Sequence, residues 1–248
     1  MCRFCLIGTK VNSIATLTKN WSQKNAVPNL YFESVTSTQT AAKEEFHGQT
    51  SELLVLSNQQ TAGRGRSSNL WGQSLTPGGQ LFSTWCFRLS KAPFPVLSAL
   101  VGLALYQAFS KTWPGLPVSL KAPNDIYLNQ KKIGGILIEV VAQKPNHDLF
   151  IGIGLNLFDH PQSVSTAGCL VDVLSKEDLV QNWDSFLTST HTQLSQLIKE
   201  MPDKLSTSQC DQILHALNLW PGLTKSYTAV LPDGGLQQGN LNTHWSEL

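Results

Sequence analysis

At 248 residues, 41% of them hydrophobic, the chain can bury a proper core as one large domain or as a large and a small one. With 18 basic and 17 acidic residues the formal net charge is +1, which argues against bulk affinity for nucleic acid. No run of roughly 18 apolar residues reads as a transmembrane helix. The five cysteines, Cys2, Cys5, Cys86, Cys169 and Cys210, are odd in number and scattered, which points to reduced thiols in a cytoplasmic protein. Cys2 and Cys5 form a C-x-x-C pair, with no second pair to complete a zinc site.

Residues 1–29 read as an N-terminal extension, frayed or loosely packed. They carry Arg3, Lys10, Lys19 and Lys24 among serines and threonines and no acid, a composition loosely like an organelle transit peptide but without its amphipathic period. Residues 30–35 read as a strand, and Thr36, Ser37 and Thr38 can cap a helix over 39–46. The next strand is 52–56. Pro77-Gly78-Gly79 marks a turn before the β-rich run 80–89. Pro95 suits a helix start, and the interrupted apolar segment 94–113 reads as a core helix. A short strand, 118–121, runs into Pro123-Asn124-Asp125.

Two strong strand candidates follow, 132–142 and 149–157, separated by the hairpin-like break Lys144-Pro145-Asn146. Ser175 with Asp178 opens a long amphipathic helix reaching residue 200, and Met201-Pro202 ends it. A shorter helix covers 208–219, and short strands are expected around Pro232-Asp233-Gly234-Gly235. With mixed strands first and helices later, the class is α+β: a mixed β-sheet with flanking helices over residues 30–219, then a short β segment over 220–248.

The most informative stretch is Gln60-Thr61-Ala62-Gly63-Arg64-Gly65-Arg66-Ser67-Ser68-Asn69-Leu70-Trp71, directly after a strand. Glycine lets the backbone approach a ligand closely, and each arginine offers a planar, permanent charge suited to phosphate or carboxylate. No acid stands between Glu52 and Asp125, where Arg64, Arg66, Arg88, Lys91, Lys111 and Lys121 do; residues 157–248 hold ten acids against four bases. A near-neutral chain with one cationic region fits a focused anionic ligand, the plainer alternative being a solvated face. Gly134, Gly135, Gly152 and Gly154 should weaken their strands. They make sense where a ligand presses on the backbone, or at a bulge or tight crossing.

Three motifs stand in order: Gly63-Arg64-Gly65-Arg66 with Trp71; Lys121-Ala122-Pro123-Asn124-Asp125 with Lys132-Ile133-Gly134-Gly135; and Gly152-Ile153-Gly154-Leu155-Asn156. Together they resemble the biotin protein ligases, with their GRGR…W loop, KWPND motif, K-[IL]-[AG]-G-[IL] strand and G-x-G-[IL]-N strand. The resemblance is strong over 31–157 and continues in pattern alone to about residue 219. It implies a biotin/lipoate ligase-like catalytic domain and a two-step reaction. Biotin's carboxylate attacks the α-phosphate of ATP, with Mg²⁺ bridging phosphates, to give biotinyl-5'-AMP. A lysine of a biotin carboxyl-carrier protein, such as the acetyl-CoA carboxylase subunit, then displaces AMP.

Carried over residue by residue, the resemblance makes Lys121, Arg64, Arg66 and Asp125 catalytic. It gives biotin contacts to Ser37, Thr38, Gln39, Gln60, Gly63, Arg64, Lys121, Gly134, Gly135, Gly152 and Gly154. The adenylate falls to Arg64, Gly65, Arg66, Trp71, Asn124, Lys132 and Asn156, and no resident metal ligand is implied. From the residues alone, Trp71 also reads as core, Asn124-Asp125 as a strand-ending turn, and Lys132 as a solvated lysine.

The chain departs from the family pattern at several places. Gln39 extends the usual S-T-N motif by one methylene at its third position, Ala122 replaces the KWPND tryptophan, and Ser68 stands where glycine is common. The C-terminal SH3-like piece looks shortened. Some relatives carry an N-terminal winged helix-turn-helix that about thirty residues cannot hold, so the ligase-only form without DNA binding is expected. The oligomer is expected to be a monomer or homodimer, with no membrane partner. The rivals are a lipoate/octanoate–protein ligase, disfavoured by the absence of an Arg-Arg pair; a weakly active paralogue that retains biotin or biotinyl-AMP; and an RNA-binding module, which lacks an RNP- or KH-type signature.

Overall fold

The computed structural model describes residues 13–47, 51–74 and 77–248, so the Cys2–Cys5 pair lies outside the described residues. One mixed sheet dominates. Its strands are β1 (Asn29–Phe32), β2 (Glu52–Ser57), β3 (Gln80–Leu89), β4 (Val118–Lys121), β5 (Asp125–Leu128), β6 (Lys131–Gln143) and β7 (Asn146–Asn156), in the order β1-β2-β3-β7-β6-β5-β4. Only β1 and β2 pair in parallel, which requires a crossover; α2 (Thr38–Glu45) lies within it. The remaining neighbours are antiparallel.

Strand alternation divides the sheet into two unlike faces. Leu54 and Leu56 on β2, Trp85 and Phe87 on β3, and Leu149, Ile151, Ile153 and Leu155 on β7 join one large core. Over it pack α3 (Leu97–Thr112), α4 (Lys176–Glu200) and α5 (Thr207–Asn218). Val55, Cys86 and Phe150, the intervening residues, belong to a small second cluster with Ala41, Ala42 and Phe46 of and beside α2. Burial pushes the Cys86 thiol far above its ordinary range, so it behaves as a small apolar side chain. The apolar segment 94–113 is the core helix α3; among the described residues no helix is long and apolar enough to cross a membrane.

Two expectations change. Much of the N-terminal segment is packed: Ile14–Lys24 form α1, capped by Ser13, with Ile14 and Trp21 buried. Two reciprocal bonds tie it to α4, from Trp21 Nε1 to Thr188 Oγ1 at 2.9 Å and from Trp183 Nε1 to Thr18 Oγ1 at 3.0 Å. Tertiary partners supply the stability that an 11-residue helix lacks alone. The second change is β5, read from sequence as a turn and gap; its four residues are short enough to hide behind Pro123.

The C-terminal strands β8 (Ala229–Val230), β9 (Gly235–Gln238) and β10 (Leu241–His244) form a separate three-stranded sheet. It is fastened to the turn between β4 and β5: Trp245 Nε1 donates to the Pro123 carbonyl at 2.8 Å, beside Ser98 Oγ on the same oxygen at 3.0 Å.

Candidate active site

A cavity of about 170 Å³ opens on the α2 face of the sheet, lined from α2, the 63–71 loop and strands β3, β5, β6 and β7. Its wall carries three cationic side chains, Arg64, Arg66 and Lys132, against one carboxylate, Asp125. That imbalance favours an anionic ligand.

The floor is a buried polar network. Gln60 Oε1 accepts from Thr38 N at 2.7 Å and Thr38 Oγ1 at 3.2 Å; Thr84 Oγ1 lies 3.0 Å from Thr38 Oγ1 and 3.1 Å from Gln39 Oε1. Gln39 Nε2 donates onward to the Phe150 carbonyl at 3.3 Å, and Ser37 caps α2 by accepting from Gln39 N. Thr38, Gln39, Gln60 and Thr84 are all at most 7% exposed, so this satisfied network is rigid.

The loop folds back on itself: Trp71 N donates to Gly63 O at 2.9 Å and Gly65 N to Asn69 O at 2.8 Å. The indole returns to the sheet, and here the strand glycines find their reason. A Cβ on Gly135 would lie 2.6 Å from Trp71 Cζ3, and one on Gly154 2.8 Å from Trp71 Cε2. Gly152 makes room for the Gln39 amide oxygen at 2.8 Å, and Gly134 for Leu155 at 2.6 Å. Gly135, Gly152 and Gly154 thus admit side chains that build the cavity and still line it themselves, whereas Gly134 gives room to the core side. The Trp71 indole N–H is buried and has no acceptor among the described residues. Ser67, one position before the expected glycine site, takes the left-handed conformation (φ 52°, ψ 46°), at a cost of about 1 kcal/mol for a residue with a Cβ.

Lys132 reaches the cavity through a register shift. Ile126 pairs with Gly134 but Tyr127 with Lys132, so Ile133 is an extra residue in β6. A one-residue shift exchanges the faces of a strand, and the bulge therefore puts Lys132 on the side of Gly135 and Leu137. Its Nζ lies 2.6 Å from Asp125 Oδ1 and 5.6 Å from the Trp71 ring centroid. Asn124 holds the turn by donating Nδ2 to the Ile136 carbonyl at 2.9 Å.

Not every expected residue is brought in. Lys121 sits on edge strand β4 with its ammonium over the Trp220 ring at 4.8 Å and the Tyr127 ring at 5.5 Å, and it does not line the cavity. Asn156 is 2% exposed and ties loops together, accepting from Gln80 Nε2 at 2.8 Å and donating to Gly168 O at 2.9 Å. Gly63 and Gly134 stand behind the wall, Gly63 leaving space for the Gln60 amide. Sequence reasoning missed Glu139, which binds Lys43 at 2.8 Å and Arg64 at 3.4 Å. Burial raises its pKa, but hydrogen bonds from Lys43 and Gln39 and the charges of Lys43 and Arg64 outweigh that and hold it below the ordinary range. Only its place two residues beyond Leu137 on the cavity face of β6 could have marked it.

The model of the biotin/lipoate A/B protein ligase family matches residues 31–156, just over half of the chain. The chain belongs to that family. Among relatives, it is 32% identical over 139 residues to the bifunctional ligase/repressor BirA of Bacillus subtilis, covering 53% of this chain and 41% of that protein. It is 33% identical over 131 residues to the biotin–[acetyl-CoA-carboxylase] ligase of Paracoccus denitrificans, covering 51% and 53%. The chain thus spans about half or less of these relatives' own lengths. The biotin protein ligase of Aquifex aeolicus, solved with biotin and ATP, superposes with a TM-score of 0.62 at 22% identity over 84% of this chain and 90% of that one, a likeness of fold. Within this family, the matched segment carries all the cavity-lining side chains named above.

Proposed function

We propose that the chain is a biotin–[biotin carboxyl-carrier protein] ligase. The observation that carries this reading is the meeting of Arg64, Arg66 and Lys132 over a buried, hydrogen-bonded polar floor in one cavity of the family's matched segment. Arg64, anchored by Glu139, and Arg66 hold the phosphate side of ATP and then the adenylate. Lys132, oriented by Asp125, takes the role expected of Lys121: it neutralises the biotin carboxylate and the charge that develops at the α-phosphorus. Such preorganised charge contributes roughly 10²–10³ in rate.

In the first step a carboxylate oxygen bonds to the α-phosphorus, the bond to the bridging oxygen breaks, and pyrophosphate leaves. In the second the carrier lysine's neutral ε-amine bonds to the acyl carbon, the acyl–oxygen bond breaks, and AMP leaves; the amine proton passes to Asp125 or to water. The buried indole N–H of Trp71 is a donor suited to a ligand acceptor. Mg²⁺ would come bound to the phosphates of ATP and shield their charge, because the one carboxylate of the cavity wall, Asp125, is already paired with Lys132.

The test is Mg²⁺-dependent ATP–pyrophosphate exchange with biotin, lipoate and octanoate in parallel. Exchange with biotin alone is expected. Exchange with only lipoate or octanoate moves the chain to the other branch of its family, and biotin binding without exchange makes it a retaining paralogue.

A further inference from the structure

Beyond the end of β7, three side chains converge that the ligase reading does not use. His160, Cys169 and Asp172 bring a ring nitrogen, a thiol sulfur and a carboxylate oxygen within 4.8 Å of one another. The thiol of Cys169 donates to Asp172 Oδ1 at 3.2 Å, and Asp172 Oδ2 accepts from the Cys169 backbone N–H at 2.9 Å. Cys169 is buried, His160 half-buried and Asp172 exposed, so the group has a fixed base and a solvent entry. His160 is steadied by its own backbone N–H, which donates to Asp159 Oδ1 at 2.8 Å.

We propose that His160, Cys169 and Asp172 form a binding site for a borderline-soft divalent cation of the Zn²⁺ type, with water completing its coordination. The donor set decides the class of ion: a thiol and an imidazole select Zn²⁺ or Co²⁺, whereas Mg²⁺ takes oxygen donors. With bonds of about 2.0–2.3 Å, tetrahedral ligand atoms lie about 3.3–3.8 Å apart. The Cys169–Asp172 pair is already close to that spacing, and His160 needs to close on the pair by no more than about 1.5 Å. On binding, the Cys169 proton now shared with Asp172 leaves to solvent, and the sulfur binds as thiolate with no change of oxidation state. The local charge suits a cation. Asp159 also acts on the thiol electrostatically.

The bridged segment touches the cavity from behind. Pro161 packs where a Cβ on Gly72 would lie, Thr166 O accepts from Lys132 N at 2.8 Å, and Gly168 N donates to Lys132 O at 3.0 Å. A cation joining residue 160 to residues 169 and 172 therefore closes the loop that backs Lys132. This inference rests on its own residues and stands or falls apart from the ligase reading.

The test uses the full chain with Cys2→Ser and Cys5→Ser, stripped by chelator and titrated with Co²⁺, then Zn²⁺. One equivalent of Co²⁺ is expected to give a thiolate-to-cobalt charge-transfer band that Zn²⁺ displaces, with a raised thermal midpoint. Cys169→Ser should abolish the band. His160→Gln should weaken Zn²⁺ binding by at least the roughly tenfold that losing even an outer-shell partner costs. No band, a band that survives Cys169→Ser, or undiminished affinity in His160→Gln would overturn the proposal. If Cys169→Ser does not fold, His160→Gln decides alone.

Discussion

On β7, Leu149, Ile151, Ile153 and Leu155 turn toward the core under α3 and α4, while Gly152 and Gly154 between them turn toward Gln39 and Trp71. The same strand is thus packed apolar on one face and hollowed on the other. The packed face gathers Trp183, Phe109 and Trp113 around Phe186, with Trp183 and Phe186 centroids 5.1 Å apart. The hollowed face gathers Arg64, Arg66 and Lys132 above the hydrogen-bonded network of Thr38, Gln39, Gln60 and Thr84. Stability is concentrated on one side and chemistry on the other, and substitutions should separate the two.

The largest expected effect is on the packed face. Trp183→Ala removes a fully buried ring and its bond to Thr18, and should cost about 3–5 kcal/mol in urea unfolding. Next, Lys132→Ala should lower biotin-dependent exchange by about 10²–10³ while leaving the urea midpoint within about 0.5 kcal/mol of the parent. Lys121→Ala should change exchange by less than about tenfold, since its ammonium lies on rings at the sheet edge. Equal losses in the two lysine variants would erase the distinction drawn from Lys132's place in the cavity.

Gly154→Ala fills the hollowed face beside Trp71. Its Cβ would displace the Trp71 ring, an overpacking worth about 1–3 kcal/mol, read as weaker biotin binding in calorimetry. Trp245→Phe should cost about 1 kcal/mol by leaving the Pro123 carbonyl with one donor fewer.

The smallest effect concerns pH. Because the folded pKa of Glu139 is depressed, its contribution to stability is present above the unfolded value and is lost as pH falls through the folded one. Glu139→Gln should therefore show a shallower loss of stability on acidification below about pH 4.3, measured by urea midpoints across that range.

The three motifs were readable because their residue types are chemically restrictive: arginine forks beside glycines, and glycines in strands that have no other reason to hold them. Most helices and strands were readable from period and caps, since Ser37 and Ser175 each accept a bond from the first turn they precede. The segment Ile14–Lys24 was not, because its helix depends on Trp21 meeting Thr188, residues far apart in the chain. Lys121 and Lys132 were likewise indistinguishable as letters, both being lysines beside a conspicuous motif.

The family, the mixed α+β class and the cationic loop followed from the order of residues alone, all being properties of residue type and near-neighbour spacing. Tertiary structure decided which lysine faces the cavity, through a single extra residue at Ile133 that exchanges the faces of β6. It also decided that Gly135 and Gly154 receive Trp71 and that Asn156 braces loops. These outcomes depend on strand register and on contacts across long sequence separations, which local pattern does not encode.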